Sequence, residues 1–393
     1  MALILFDDHS WDNLLPLTFT RPASALRIGI LTIAEKWEHD MGIKSTPLTR
    51  DYLQGKYPCE TGDDKLYING TLLPESGVVE AIQNLQENQA LVQRGILVAA
   101  RTREGRCKAF TPDGWIKEGK EYAGELSLVT HPWRIFQLNG QEIEADFLRI
   151  THGRRSEKLP DTVRIDRPDK VFVEPGFSGG YFTLNASRGP IYLGRQSEIM
   201  EGSLIRGPFA LCEGAVVKMG AKIYGPTSIG PYCKVGGEIN NSVLLANSNK
   251  SHDGFLGNSV IGEWCNLGAD TNNSNLKNNY SDVKVWNYPS GTFISSGNQF
   301  CGLIMGDHSK CGINTMFNTG TVVGVSANIF GPGFPPSFIP SFSWGGADGF
   351  TAYKMKKVLE TANLVMERRD MQLTKEDKAI LDHISQYSET FRS

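Results

Sequence analysis

The chain has 393 residues, 40% hydrophobic and 21% charged, enough for about two or three domains with sizeable cores. A net charge of −3 gives no electrostatic footprint for nucleic acid or an anionic membrane, and no apolar run approaches the ~20 residues of a membrane span. The opening Met1 to Asp8 lacks the basic start and long apolar core of a secretory signal, so a cytoplasmic protein is expected.

Residues 1–130 read as a mixed α/β domain. An apolar run at 3–6 ends in Asp7-Asp8, as a buried strand feeding a loop does. Ile30, Leu31, Ile33, Ala34 and Trp37 predict an amphipathic helix over 28–38. A second strand is expected at 66–68, a helix over 78–91 and a third strand at 95–100, an alternation that favours α/β packing. Residues 131–175 read as a linker with a helix. Its mixed charges, Arg154, Arg155, Lys158, Arg164 and Arg167 among acids, read as a solvated face.

A six-residue repeat dominates the next stretch, and 176–334 is assigned to it. Leu193, Ile199, Ile205, Leu211, Val217, Ile223, Ile229 and Val235 recur at a spacing of six. Two further runs, Phe255, Ile261, Leu267 and Met305, Cys311, Phe317, Val323, Ile329, hold the same period out of phase, so insertions are expected at about 241–254 and 273–304. A period of six arises when the chain turns a corner every six residues, with three faces making one coil and the hits stacking inward. Coils then lie ~4.8 Å apart, as in a parallel sheet. Glycines and prolines such as Gly207-Pro208, Gly225-Pro226 and Gly230-Pro231 supply corners. The period carries no handedness, and general crossover rules favour right-handed connections. Residues 335–393 read as a loop rich in Pro and aromatics, then helices at about 350–370 and 374–391 that cap the open end. Seven scattered cysteines (59, 107, 212, 233, 265, 301, 311) without a Cys-x-x-Cys read as reduced thiols, with neither a disulfide framework nor a zinc site.

A regular solenoid is a scaffold, so chemistry is sought where the repeat breaks. There, Asn249-Lys250-Ser251-His252, Phe255-Leu256-Gly257 and Asn266-Leu267-Gly268-Ala269 resemble, in order and spacing, the acetyltransferase domain of the bifunctional UDP-N-acetylglucosamine pyrophosphorylase/glucosamine-1-phosphate N-acetyltransferases. That family has Lys-x-Gly-His-Leu-x-Tyr-Leu-Gly-Asp and then Asn-Ile-Gly-Ala-Gly-Thr. The resemblance covers about 190–330. It implies a left-handed β-helix, a homotrimer with sites between subunits, and acetyl-CoA as cosubstrate. It makes His252 the base that takes a proton from the sugar 2-amino group, a task suited to an imidazole titrating near neutrality. It puts Glu238, Asn240, Phe255, Asn266 and Asn275 at substrate positions, and Ala269 and Ser296 at CoA positions. Asn240 stands where the family often has Lys, and Phe255 where it often has Tyr. Lys222 or Arg206 is left to supply phosphate charge, a solvated role being the alternative. His308 reads as structural.

The N-terminal part resembles a divergent subgroup of the same family from Bacteroidetes-type bacteria, through Phe6-Asp7-Asp8, residues 17–22 (Leu-Thr-Phe-Thr-Arg-Pro), 27–33 and Glu35-Lys36-Trp37. The Gly-x-Gly-Thr-Arg-Met loop that holds triphosphate in the family is absent, and Thr20-Arg21 echoes part of it. The resemblance offers Arg21, Arg27, Lys36 and Asn69 as nucleotide contacts. Asn69 stands where the family has its metal-binding Asp, and a neutral ligand holds Mg²⁺ more weakly. Three functions stay open: acetylation of glucosamine 1-phosphate coupled to uridylyl transfer from UTP, acyl transfer alone, and a trimeric sugar-phosphate-binding scaffold without catalysis.

Overall fold

Strand β1 (Ala2–Phe6) is buried from Leu3 onward and lies between two parallel neighbours, β2 (Ser45–Leu48) and β3 (Lys65–Asn69). The structure, a computed structural model, describes residues 1–60, 62–103 and 110–392. With β4 (Gln89–Gln93), β5 (Ile96–Thr102) and β6 (Lys120–Glu121) the sheet order is β2-β1-β3-β5-β4-β6, and β5 runs antiparallel to β3 and β4. The helices of this unit are α1 (Ser10–Asn13), α2 (Ile33–Met41), α3 (Ser76–Gln83) and α4 (Pro112–Glu118).

Two expected helices differ. Helix α2 begins five residues later than the apolar pattern predicts. Thr32 and Glu35 form a capping box there (Glu35 N to Thr32 Oγ1, 3.2 Å; Thr32 N to Glu35 Oε2, 2.7 Å), and upstream Gly29 has φ +78°. Helix α3 stops at Gln83, and Ala90, Leu91 and Val92 are buried in β4 instead. Arg94 and Gly95, both at positive φ, turn β4 into β5 as a tight hairpin.

The second compact unit comprises residues 15–19, 27–30 and 132–393. Its helix α5 (Pro132–Thr151) lies where a linker with a helix was expected. Trp133, Ile135, Phe136 and Ile143 are buried as it packs on the solenoid strands Phe209–Leu211, Thr227–Ile229, Val243–Leu244 and Val260–Ile261. Asn139 fixes it there, donating to Pro226 O (3.0 Å) and accepting from Ser228 Oγ (2.9 Å).

The solenoid itself is a three-faced parallel β-helix. Face A runs from Arg164–Asp166 to Phe255–Gly257 (six strands). Face B runs from Val171–Val173 to Phe338–Ile339 (nine), and face C from Ser178–Gly179 to Ser343–Gly346 (nine), onto which Gly349–Ala352 folds back antiparallel. All eight residues of the first run are buried at 2% exposure or less and share one core with Ile261, Met305 and Val323. The first coil starts before residue 176, at Arg164.

Phe255 breaks the expected stack. Leu256, 1% exposed, pairs with Ile239 and points inward, whereas Phe255 is half-buried beside it. The phase shift before it is a contraction, not an insertion. Ile205 pairs with Ile223 eighteen residues on, but Ile229 pairs with Leu244 and Val235 with Lys250 only fifteen on. The later break is a true insertion between Ile261 and its partner Met305, containing an antiparallel hairpin (Lys284–Asn287 with Thr292–Ser295).

Helices α6 (Met355–Glu367) and α7 (Lys375–Tyr387) close the chain. Arg369, just after α6, donates to Tyr232 O and reaches Asn249 Oδ1 (3.3 Å), several coils back along the corner between faces B and C. Along that corner Tyr232, Asn247, Trp264, His308 and Ser326 all take positive φ, and His308 stacks on Trp264 (6.4 Å, 9°), in keeping with a structural histidine. Among the described residues six cysteines are free thiols, Cys107 lies outside them, and no helix is long and apolar enough to cross a membrane.

Candidate functional site

Just after the contraction, His252 lies at the corner between Asn249–Lys250 of face C and Phe255–Gly257 of face A. Its side chain is exposed, and among the described residues the imidazole has no hydrogen-bond partner. The corner is tight: a Cβ on Gly237, one coil below, would lie 2.8 Å from Asp253 Cα, and one on Gly254 (φ +106°) would lie 2.2 Å from Thr271 O.

Face A brings several candidates together beside this corner. Glu238 is in register with Phe255, and Asn240 with Gly257. A Cβ on Gly257 would meet Phe255 Cζ at 2.5 Å and Asn275 Nδ2 at 2.7 Å, so ring and amide converge over this glycine. Asn275 donates to Asn258 Oδ1 (2.8 Å), and Phe255 N donates to Asn272 Oδ1 (2.8 Å). Tyr224 donates to Glu238 Oε1 (2.5 Å), and that carboxylate pushes the phenol up to about 12. Lys222 and Arg206 are exposed on the same face, one and two coils below.

The remaining candidates sit elsewhere. Asn266 is exposed on face C in register with Asn249, which sets Ala269 one coil above His252. Ser296 belongs to the hairpin insertion, between face A and face B, and its hydroxyl donates to Val283 O (2.8 Å). It is therefore at a different corner of the triangle from His252.

In the first unit, polar side chains gather at the carboxyl ends of β1, β2 and β3, the edge where open α/β sheets bind ligands. Asp7 accepts from Ala23 N (2.9 Å) and Thr49 Oγ1 (2.5 Å). Burial pushes its carboxyl up to about 7, against those two hydrogen bonds and the nearby Arg50. Asp8 accepts from Asn69 Nδ2 (2.9 Å), and Arg50 pairs with Asp12 (2.7 Å) while lying over the Trp11 ring. Phe6, Asp7, Thr49, Arg50, Gln54 and Phe110 line a cleft of ≈ 180 Å³.

Asp7, Thr49 and Arg50 were not among the sequence candidates, although a strand ending in Asp-Asp at a parallel edge was a signal for the first. The candidates that were named are largely engaged in the fold. Arg21 is buried against Thr20 Oγ1 (3.3 Å), Lys36 is fully buried in α2, and Arg27 falls in the other unit, donating to Ile30 O. Asn69 is buried, with its amide oxygen accepting from Thr71 N (3.0 Å) and Oγ1 (2.8 Å). Both of these donors come from Thr71, so the oxygen is already engaged within the fold. Among the described residues no three His, Cys, Asp or Glu side chains converge to hold a metal.

Residues 3–155 match the family described as sugar nucleotidyl transferase. Among solved structures, similar chains include the polySia-specific acetyltransferase NeuO (15% identity, 49% of this chain and 87% of that one, TM-score 0.27). Others are a UDP-N-acetylglucosamine acyltransferase from Arabidopsis (15%, 60% and 91%, 0.21) and one from Bacteroides fragilis 9343 (13%, 57% and 96%, 0.24). No curated protein matches the chain. The family match thus falls on residues 3–155, which include the α/β unit and helix α5, and the six-residue-repeat solenoid follows it.

Proposed function

We propose that the β-helix transfers the acetyl group of acetyl-CoA to the 2-amino group of glucosamine 1-phosphate. The first unit then couples the product to UTP with release of pyrophosphate, giving UDP-N-acetylglucosamine. The observation that carries the first reaction is the exposed His252 imidazole on a tightly held corner beside Glu238, Asn240, Phe255 and Asn275. An amine attacks a thioester only when it is deprotonated. His252 takes the amine proton as the N–C bond forms, and the C–S bond breaks to release CoA, with no covalent enzyme intermediate. Phe255 offers a face but no hydroxyl, and Asn240 no charge, so phosphate recognition falls to Lys222 or Arg206 on the same face. A homotrimer, in which a neighbour completes the exposed corner, fits this reading.

The family match over 3–155 supports the second reaction. One observation favours acyl transfer alone: Asn69, where the resemblance puts a metal-binding Asp, is neutral and commits its amide oxygen to Thr71. Purified protein with acetyl-CoA, glucosamine 1-phosphate and UTP separates these readings. CoA and pyrophosphate are both expected. CoA without pyrophosphate leaves the acyltransferase alone, and neither product leaves a scaffold. His252→Ala is expected to lower CoA release ~10²–10⁴-fold; unchanged release would remove His252 as the base.

A further inference from the structure

We propose that Lys250, buried inside the β-helix, is a positioning residue that holds the His252 corner in its active shape. This rests on the reading of His252 as the base.

In register, Lys250 sits in the inward column of face C, between Val235 and Leu267, where its neighbours in the stack are apolar. It is 1% exposed. Its ammonium donates to Gly236 O (3.3 Å), His252 O (2.6 Å) and Asp253 O (2.9 Å), so all three N–H groups have carbonyl partners. Burial pulls it down to about 8, so it remains mostly charged at neutral pH.

The two corners above are closed in another way. One coil up, Thr271 Oγ1 donates to Gly268 O (2.7 Å); two coils up, Thr315 Oγ1 donates to Gly312 O (2.9 Å). Each of these corners is closed by a threonine hydroxyl reaching back three residues. In the His252 corner the matching position is Gly254, which has no side chain to do this. The closure comes from inside instead. By drawing the carbonyls of His252 and Asp253 inward, Lys250 fixes the backbone that carries the outward imidazole. A buried charge is costly unless its hydrogen bonds are met, and an apolar residue would fill this stack without that cost. Lys250 is thus justified by the corner rather than by the core.

Lys250→Met keeps an unbranched side chain, one atom shorter, and removes the donors. The expected result is a folded protein, by circular dichroism and calorimetry, whose kcat for acetyl transfer to glucosamine 1-phosphate falls by about 10²-fold, the scale of a small misplacement. The KM values for acetyl-CoA and the sugar phosphate should move far less. In a His252→Ala background the same substitution should have almost no further effect, because Lys250 acts through His252. Wild-type kcat in folded Lys250→Met, or an undiminished effect in the His252→Ala background, overturns the assignment. If the Met variant does not fold, Lys250→Gln takes its place. Its amide reaches fewer carbonyls, a smaller fall in kcat is expected, and unchanged kcat again overturns it. Should His252→Ala itself leave transfer intact, the reading of the base fails first, which separates the two failures.

Discussion

Replacing Asp7 by Asn should stabilise the first unit in a way that depends on pH. The Asp7 carboxyl stands at about 7 in the folded chain against 3.8 for an ordinary Asp, because burial outweighs the hydrogen bonds from Thr49 and Ala23. The folded state therefore holds its proton more tightly than the unfolded one. Below about pH 4 both states are protonated and the contribution is fully present. As pH rises towards 7 the unfolded chain gives up its proton first, and stability is lost. At ~1.36 kcal/mol per pH unit the full loss is ~4 kcal/mol, and ~2 kcal/mol is a fairer expectation for a side chain that lines a cleft open to water. Asn removes the titration and keeps the contacts: its oxygen still accepts from Ala23 N, and its amide donates to the Thr49 hydroxyl, which rotates to accept. Urea unfolding at pH 4 to 8, monitored by hydrogen exchange in peptides from β1 and β3, reads this unit separately from the solenoid. The variant should come closest to wild type at pH 4 and exceed it increasingly up to about pH 7. Parallel pH profiles for the two proteins would refute the reasoning. A carboxyl poised near 7 in a cleft is also a candidate proton acceptor, so pyrophosphate release by the stabler variant should fall.

Ile223→Ala should cost ~2–5 kcal/mol, because Ile223 is 1% exposed between Ile205 and Ile239 and neighbouring coils cannot collapse onto the gap; calorimetry of the intact chain checks it. Gly254→Ala forces a Cβ to 2.2 Å from Thr271 O at φ +106°. It should cost at least ~1–3 kcal/mol and lower acetyl transfer more than Ile223→Ala does at equal stability. Equal activity losses would mean that the corner has no special role.

The six-residue period was legible because every coil must place an apolar residue at the same inward point. The illegible part came from two exceptions to that rule. Counting apolar hits at fixed spacing takes Phe255 as inward, yet the contracted coil moves Leu256 into the stack and leaves Phe255 outside. Hydrophobicity also hides Lys250, which enters the core only because three backbone carbonyls meet its ammonium, and no side-chain pattern announces a backbone acceptor. In the first unit, Ala90 and Leu91 fit a helix or a strand equally in so short a run, and the β4–β5 hairpin decided the matter. Asp7 meets Thr49, and Asp8 meets Asn69, only because the parallel sheet aligns chain ends 42 and 61 residues apart. The two breaks in the repeat also turn out to be physically different. The insertion adds a hairpin and carries Ser296 to another corner, outside the regular coils. The contraction adds nothing; it shortens the coil from Val235 to Lys250 to fifteen residues, and the corner that follows has Gly254 where the two corners above have a threonine. A charged side chain inside the core closes that corner instead. A scaffold tolerates an insertion on its surface at little cost, whereas a buried lysine in an apolar stack persists only where something depends on it. By that argument the proposed acetyl transfer depends on the corner after Lys250, and the hairpin should be removable with less effect on it than the single change at Lys250.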